Sequence, residues 1–151
     1  MRRGLDHVVH LVRDLDAAGE IYDLLGFTVG ARNRHPWGTE NRIVQTDGFF
    51  VELLQVVEPD KVPPHSGEAL SFGAFNTAFL EKNGEGLAMM AFEGYDPTAE
   101  KAEFDEAGFG GFDLFDFSRP ARRFDGQEVE VGFSLAFAKD LLAARGANRV
   151  M

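Results

Sequence analysis

The sequence predicts an α+β fold made of two tandem strand-helix-strand-strand-strand units, the second without its closing strand. Three observations carry this. Shifted by 82 positions, residues 4–27 overlie residues 86–109 without a gap. Gly4, Leu5, Asp14, Ala17, Asp23, Gly26 and Phe27 then fall on Gly86, Leu87, Asp96, Ala99, Asp105, Gly108 and Phe109, and Tyr22 meets Phe104. These matches sit at strand starts, helix caps and helix ends, where a repeated unit must keep its punctuation. The length, 151 residues, suits one domain or two small modules sharing a core.

Residues 5–12 are apolar and rich in β-branched side chains, so they read as a strand. Asp14 caps a helix whose buried face is Leu15, Ala18, Tyr22 and Leu25, and Gly26 ends it where a left-handed residue is needed. Strands are expected over residues 27–34 and 41–46, separated by the loop His35-Pro36-Trp37-Gly38. Asp47-Gly48 is a hairpin turn signal before a third strand, residues 49–57. The Pro-containing stretch 59–64 is a linker, and residues 69–83 a connecting helix with Phe72, Phe75 and Phe79 on one core-facing stripe.

The second copy begins with a strand over residues 87–93. Asp96 then caps a helix with Pro97 at its first position, Phe104 and Ala107 on its buried face, and Gly108 at its end. Strands over 111–117 and 129–138 follow, with an Arg- and Asp-rich loop between them. The Ala-rich residues 140–151 read as helix or frayed tail. The division is therefore a first module at 1–58, a linker and connecting helix at 59–85, and a second, incomplete module at 86–151.

Composition narrows the function. With 25 acidic against 15 basic side chains the net charge is −10, which repels a nucleic-acid backbone or an anionic membrane. Cysteine is absent, so there is no disulfide framework, thiolate zinc site or cysteine nucleophile. The start has no signal-like apolar run and no stretch approaches the ~18 apolar residues of a membrane span, so a soluble cytoplasmic protein is expected. Phenylalanine is in excess, 15 against 2 Tyr and 1 Trp, and all but Phe27, Phe49 and Phe50 lie beyond residue 66. Gly-rich phosphate loops, the Gly-x-Ser-x-Gly elbow and the His-Glu-x-x-His pair are all missing, which leaves nucleotide binding and nucleophilic hydrolysis without support.

Two such modules in tandem resemble the vicinal oxygen chelate superfamily, which includes glyoxalase I, ring-cleaving dioxygenases and bleomycin-resistance proteins. Gly4-Leu-Asp-His-Val-Val-His-Leu-Val-Arg-Asp-Leu-Asp-Ala-Ala17 is similar to its first strand and helix, and Phe50-Val-Glu-Leu-Leu54 to its fourth strand. The run His35-Pro-Trp-Gly-Thr-Glu-Asn-Arg-Ile43 resembles one subset, the glyoxalase-like domain proteins. The resemblance implies a mixed sheet curled into a half-open cup, with one divalent metal (Zn, Fe, Mn, Co or Ni) held by side chains of the first and fourth strands and chelated by two substrate oxygens. Carried onto this sequence, the metal ligands are His7 and Glu52.

Strand parity bears on the pair independently: His7, Val9 and Leu11 share one face, and Val8, His10 and Val12 the other. Glu52 shares its face with Phe50, Leu54 and Val56, apolar company that calls for a cation opposite. Either a metal with the His7 imidazole supplies it, or Glu52 pairs with Arg42 or Arg32 and His7 is a satisfied inward histidine. In the second copy the repeat places Met89 at the position of His7, with Glu93 further along that strand, so one chain offers two ligands rather than the three usual in catalytic zinc sites.

His35 is the candidate general base, Trp37 an apolar wall, and Asn41 and Arg42 the holders of a substrate oxygen or anionic group. His10 belongs under the helix or at an interface, and His65 to solvent. Arg119, Arg122 and Arg123 either clamp an anion or balance Asp113, Asp116 and Asp125. The expectation is a metal-dependent lyase, isomerase or dioxygenase acting on a small molecule. The alternatives are a non-catalytic binder that encloses a hydrophobic ligand in a Phe-lined cup, and a degenerate paralogue that has kept the fold and lost the site. An open sheet edge in the second module adds a homodimer.

Overall fold

In the computed structural model, residues 3–122 and 127–139 are described, with backbone alone at 119, 121 and 122. A mixed sheet, not closed into a barrel, forms the centre. Its order is β2-β4-β5-β1-β6, from Thr28–Val29, Thr39–Gln45, Phe50–Val56, Leu5–Leu11 and Gly86–Phe92, with the short β3 (Asn33–Arg34) also on β4. β1 runs parallel to β5 and antiparallel to β6. The helices are α1 (Leu15–Leu24), α2 (Phe72–Asn83) and α3 (Pro97–Glu106), and a separate two-stranded sheet pairs β7 (Phe115–Arg122) with β8 (Glu128–Leu135). No described helix is long and apolar enough to cross a membrane.

The repeat is visible bond by bond. α1 and α3 start and stop 82 residues apart. The Asp14 side chain accepts from the Asp16 and Ala17 amides, and the Asp96 side chain from those of Thr98 and Ala99. Gly26 and Gly108 leave their helices at φ of 90° and 79°, and the Phe27 and Phe109 amides turn back onto Tyr22 and Phe104. Even the strand pairing obeys the shift. His7↔Ala91, Val8↔Met90 and Val9↔Met89 are symmetric under it, the pattern a local two-fold between equivalent strands produces.

Side-chain alternation sorts the sheet into two faces. Val12, Leu15, Val44, Val51 and Leu53 form one core with Val8, Ala18 and Tyr22 beneath α1. His10 is there too, its Nδ1 3.1 Å from the Tyr22 hydroxyl, and burial lowers its pKa. The opposite face packs Val9, Leu11, Leu54, Ala88 and Met89 against Phe75 and Phe79 of α2 and against Phe137.

Several boundaries differ from the sequence reading. The single strand expected over 27–34 is broken into β2 and β3. Leu25 is the C-cap of α1 and 68% exposed, outside the buried face. The connecting helix starts at Phe72, because Ser71 caps it and its amide donates to His65 Nδ1, which gives that exposed histidine a structural bond. β7 starts and β8 ends inside the expected ranges. In α3 no residue is buried and Ala107 is exposed, and β6 is an edge strand that no second strand joins among the described residues. Leu87, Met90 and Phe92 of β6 are exposed with it. Residues 140–151, with Arg123 and Asp125, lie outside the described residues, as do the side chains of Arg119 and Arg122.

Candidate active site

On the face opposite α1, a cavity of about 130 Å³ is bounded by the sheet below and the β7–β8 hairpin above. The sheet contributes His7 from β1, Asn41 and Ile43 from β4, and Phe50 and Glu52 from β5, while the β3–β4 loop adds His35 and Trp37. Phe72, Phe115, Phe117, Phe133 and Leu135 close the remaining wall. Trp37 stands at the centre of that wall, edge-on to Phe115 at 5.4 Å and to Phe117 at 5.2 Å. Its buried indole Nε1 has no acceptor among the described residues, a donor that a bound ligand can use.

The polar corner is continuous. His35 Nδ1 lies 2.8 Å from the Thr39 hydroxyl, and its Nε2 lies 3.3 Å from Asn41 Nδ2. Asn41 Nδ2 also donates to Glu52 Oε1, while Asn33 Nδ2 donates to the side-chain Oδ1 of Asn41 at 3.1 Å. Glu52 Oε2 is then 3.7 Å from His7 Nε2. The parallel β1–β5 register sets this approach, since it pairs His7 with Phe50 and Val9 with Glu52 and turns both polar side chains to the same face.

Five of the six singled-out residues, His7, His35, Trp37, Asn41 and Glu52, therefore meet in one cavity. Arg42 does not. It follows Asn41 on β4 and so faces α1, where Nε donates to the Gly30 carbonyl at 2.9 Å and the guanidinium lies over Gly19, 3.9 Å from Asp16. Arg32 is equally remote from Glu52, because it donates to Glu40 and lies 2.8 Å from Asp16. Hydrogen bonds from Arg32, and then Arg34, hold the buried Glu40 carboxyl below the usual carboxylate range. The site residues missed in the sequence are the hairpin aromatics, for which the Phe excess was the only signal, and Phe72, whose stripe reads as core.

His7 Nε2 and Glu52 Oε2 are near the separation of about 3 Å that two ligands on one ion adopt. Imidazole with carboxylate is a donor pair acceptable to Zn, Fe, Mn, Co or Ni. No third His, Cys, Asp or Glu joins them among the described residues. The pair thus fits two positions of a metal shell.

A curled mixed sheet whose equivalent strands meet at a local two-fold is the architecture of the vicinal oxygen chelate superfamily. Solved structures agree on the fold. Methylmalonyl-CoA epimerase from Mycobacterium tuberculosis is 22% identical, with a TM-score of 0.59 over 97% of this chain and 85% of that one. A hypothetical protein from Bacillus halodurans is 20% identical, with a TM-score of 0.62 over 99% and 93%. A methylmalonyl-CoA epimerase in complex with methylmalonyl-CoA and NH4+ is 21% identical, with a TM-score of 0.60 over 99% and 93%. No curated protein matches the sequence. The glyoxalase-like domain family matches residues 5–149, and the chain belongs to it.

Proposed function

We propose that this protein is a small-molecule enzyme of the vicinal oxygen chelate type, in which His7 and Glu52 hold one divalent ion and the substrate presents two adjacent oxygens beside them. The observation that carries the reading is the approach of His7 Nε2 to Glu52 Oε2, 3.7 Å apart, in the one polar corner of an aromatic cavity. The methylmalonyl-CoA epimerase complexed with methylmalonyl-CoA supports a small-molecule ligand in this fold.

A bound cation would supply Lewis-acid polarisation of a substrate oxygen, whether the reaction is a lyase, isomerase or dioxygenase step. The chain's own residues do the rest. Asn41 fixes the Glu52 carboxylate, and Trp37, Phe50 and the hairpin phenylalanines bind the apolar part of the ligand and exclude water. His35 sits between Thr39 and Asn41, so its part is to orient the Asn41 amide; removing a substrate proton itself requires Asn41 to swing aside. The chain reads as the modules 1–58 and 86–151 joined by 59–85. Pairing through the β6 edge and its exposed Leu87, Met90 and Phe92 makes the working unit a homodimer.

Metal analysis tests the assignment. Purified protein is expected to carry stoichiometric transition metal that His7→Ala loses. Protein that stays metal-free after incubation with Mn, Fe, Co, Ni and Zn overturns it. One observation favours a second reading, a non-catalytic binder that sequesters its ligand: the His7–Glu52 pair gains no third ligand among the described residues. Stoichiometric binding of an apolar ligand by the metal-free protein, unchanged by His7→Ala, is the result expected of that reading.

A further inference from the structure

Consecutive residues of a regular strand point to opposite faces, so Asp6 and His7 have no reason to meet. Yet His7 Nδ1 lies 2.6 Å from Asp6 Oδ2. The register of β1 against β6 explains the contact. Leu5 pairs with Phe92 and His7 with Ala91, so two steps on β1 oppose one on β6 and Asp6 is the extra residue of a β-bulge. A bulge bends its strand and re-aims a side chain, which here brings the carboxylate beside the imidazole it precedes.

Three contacts then determine the His7 ring. Phe50 stacks on its face, with centroids 4.6 Å apart and planes 13° from parallel. Asp6 stands at Nδ1, and Glu52 Oε2 is 3.7 Å from Nε2. Both carboxylates can only accept, but Asp6 Oδ2 is within hydrogen-bond reach of Nδ1 at 2.6 Å and Glu52 Oε2 is out of reach of Nε2 at 3.7 Å, so the ring proton of a neutral His7 belongs on Nδ1, facing Asp6. The Nε2 lone pair is left on the Glu52 side.

We propose that Asp6 is a positioning residue of this site, locking His7 in the Nδ1–H tautomer so that Nε2 is the atom offered beside Glu52. The consequence for metal affinity rests on the reading of His7 and Glu52 as a metal pair; the tautomer does not. Partners of this kind orient a ligating imidazole and raise its basicity, and their loss costs about 10- to 100-fold in metal affinity.

Two-bond proton–nitrogen NMR of the metal-free protein tests the lock directly, read on the neutral ring that the two nitrogen shifts themselves identify. His7 is expected as the Nδ1–H form in the wild type. Asp6→Ala is expected to move it toward the Nε2–H form that unconstrained histidine favours in water. Asp6→Asn, whose amide oxygen still accepts, is expected to retain the Nδ1–H form. Zinc titration of the same samples is expected to weaken about 10- to 100-fold in Asp6→Ala, with a smaller loss in Asp6→Asn. The Asp6 side chain is 48% exposed, so both substitutions spare the core. A wild-type His7 in the Nε2–H form, or a tautomer unmoved by Asp6→Ala, overturns the proposal. If the wild type shows Nδ1–H and takes up no metal, the lock stands and the metal reading falls.

Discussion

Replacing Glu52 by glutamine is expected to abolish metal uptake while leaving the fold intact. Glu52 is 8% exposed on β5, the strand between β1 and β4, and its Oε1 accepts from Asn41. Glutamine has the same shape, and its amide oxygen can still take that bond. What it loses is the negative charge, one of the two donors on which a cation depends. Loss of a supporting partner costs about 10- to 100-fold in affinity, and loss of a ligand itself costs at least that. Stability should move the other way or not at all, because burying a carboxylate carries a desolvation cost of several kcal/mol that a neutral isostere escapes. The expected result is a metal content near zero after dialysis, with Tm unchanged within about 3 °C or raised. Metal retained at wild-type stoichiometry contradicts the assignment. A large fall in Tm instead makes Glu52 a structural residue.

The second large effect concerns the loop that delivers His35 and Trp37. Gly38 sits at φ of 81°, and a Cβ there would lie 2.4 Å from the Glu58 carbonyl oxygen. Backbone cannot yield as a side-chain tip can, since the Gly38 carbonyl is pinned by the Val57 and Glu58 amides at 3.0 Å each. Left-handed strain alone costs roughly 1–2 kcal/mol, and the clash adds to it. Gly38→Ala is therefore expected to lose about 3 kcal/mol in denaturant unfolding, a Tm drop of about 10 °C. Ligand affinity should fall with it, because Trp37 and the hairpin phenylalanines it meets edge-on would shift together. A loss within about 0.5 kcal/mol shows that the loop can relax and that its close fit is not what places Trp37.

How much of this was legible in the sequence depends on how local each signal is. Strand parity placed His7 with Val9 and Leu11, and Glu52 with Phe50 and Leu54, because alternation is a property of the strand itself. The caps at Asp14 and Asp96 and the helix ends at Gly26 and Gly108 were legible for the same reason. Alternation also forbids Asn41 and Arg42, neighbours on β4, from reaching the same ligand, and the structure sends Arg42 to α1 accordingly. The break between β2 and β3 was legible only as Gly30, a glycine inside the strand pattern, and its extent was not. Nor was the bulge at Asp6, which exists only in the pairing of β1 with β6. Phe115, Phe117 and Phe133 reach the cavity through tertiary packing, and the excess of phenylalanine gave their number without their place.

The sharing of one cation by His7 and Glu52 is read out by anomalous diffraction from crystals grown with manganese or zinc. A single strong peak is expected at roughly 2.0–2.2 Å from both His7 Nε2 and a Glu52 carboxylate oxygen, with the aromatic wall around it. A peak elsewhere, or none at this corner in crystals that contain the metal, would contradict it.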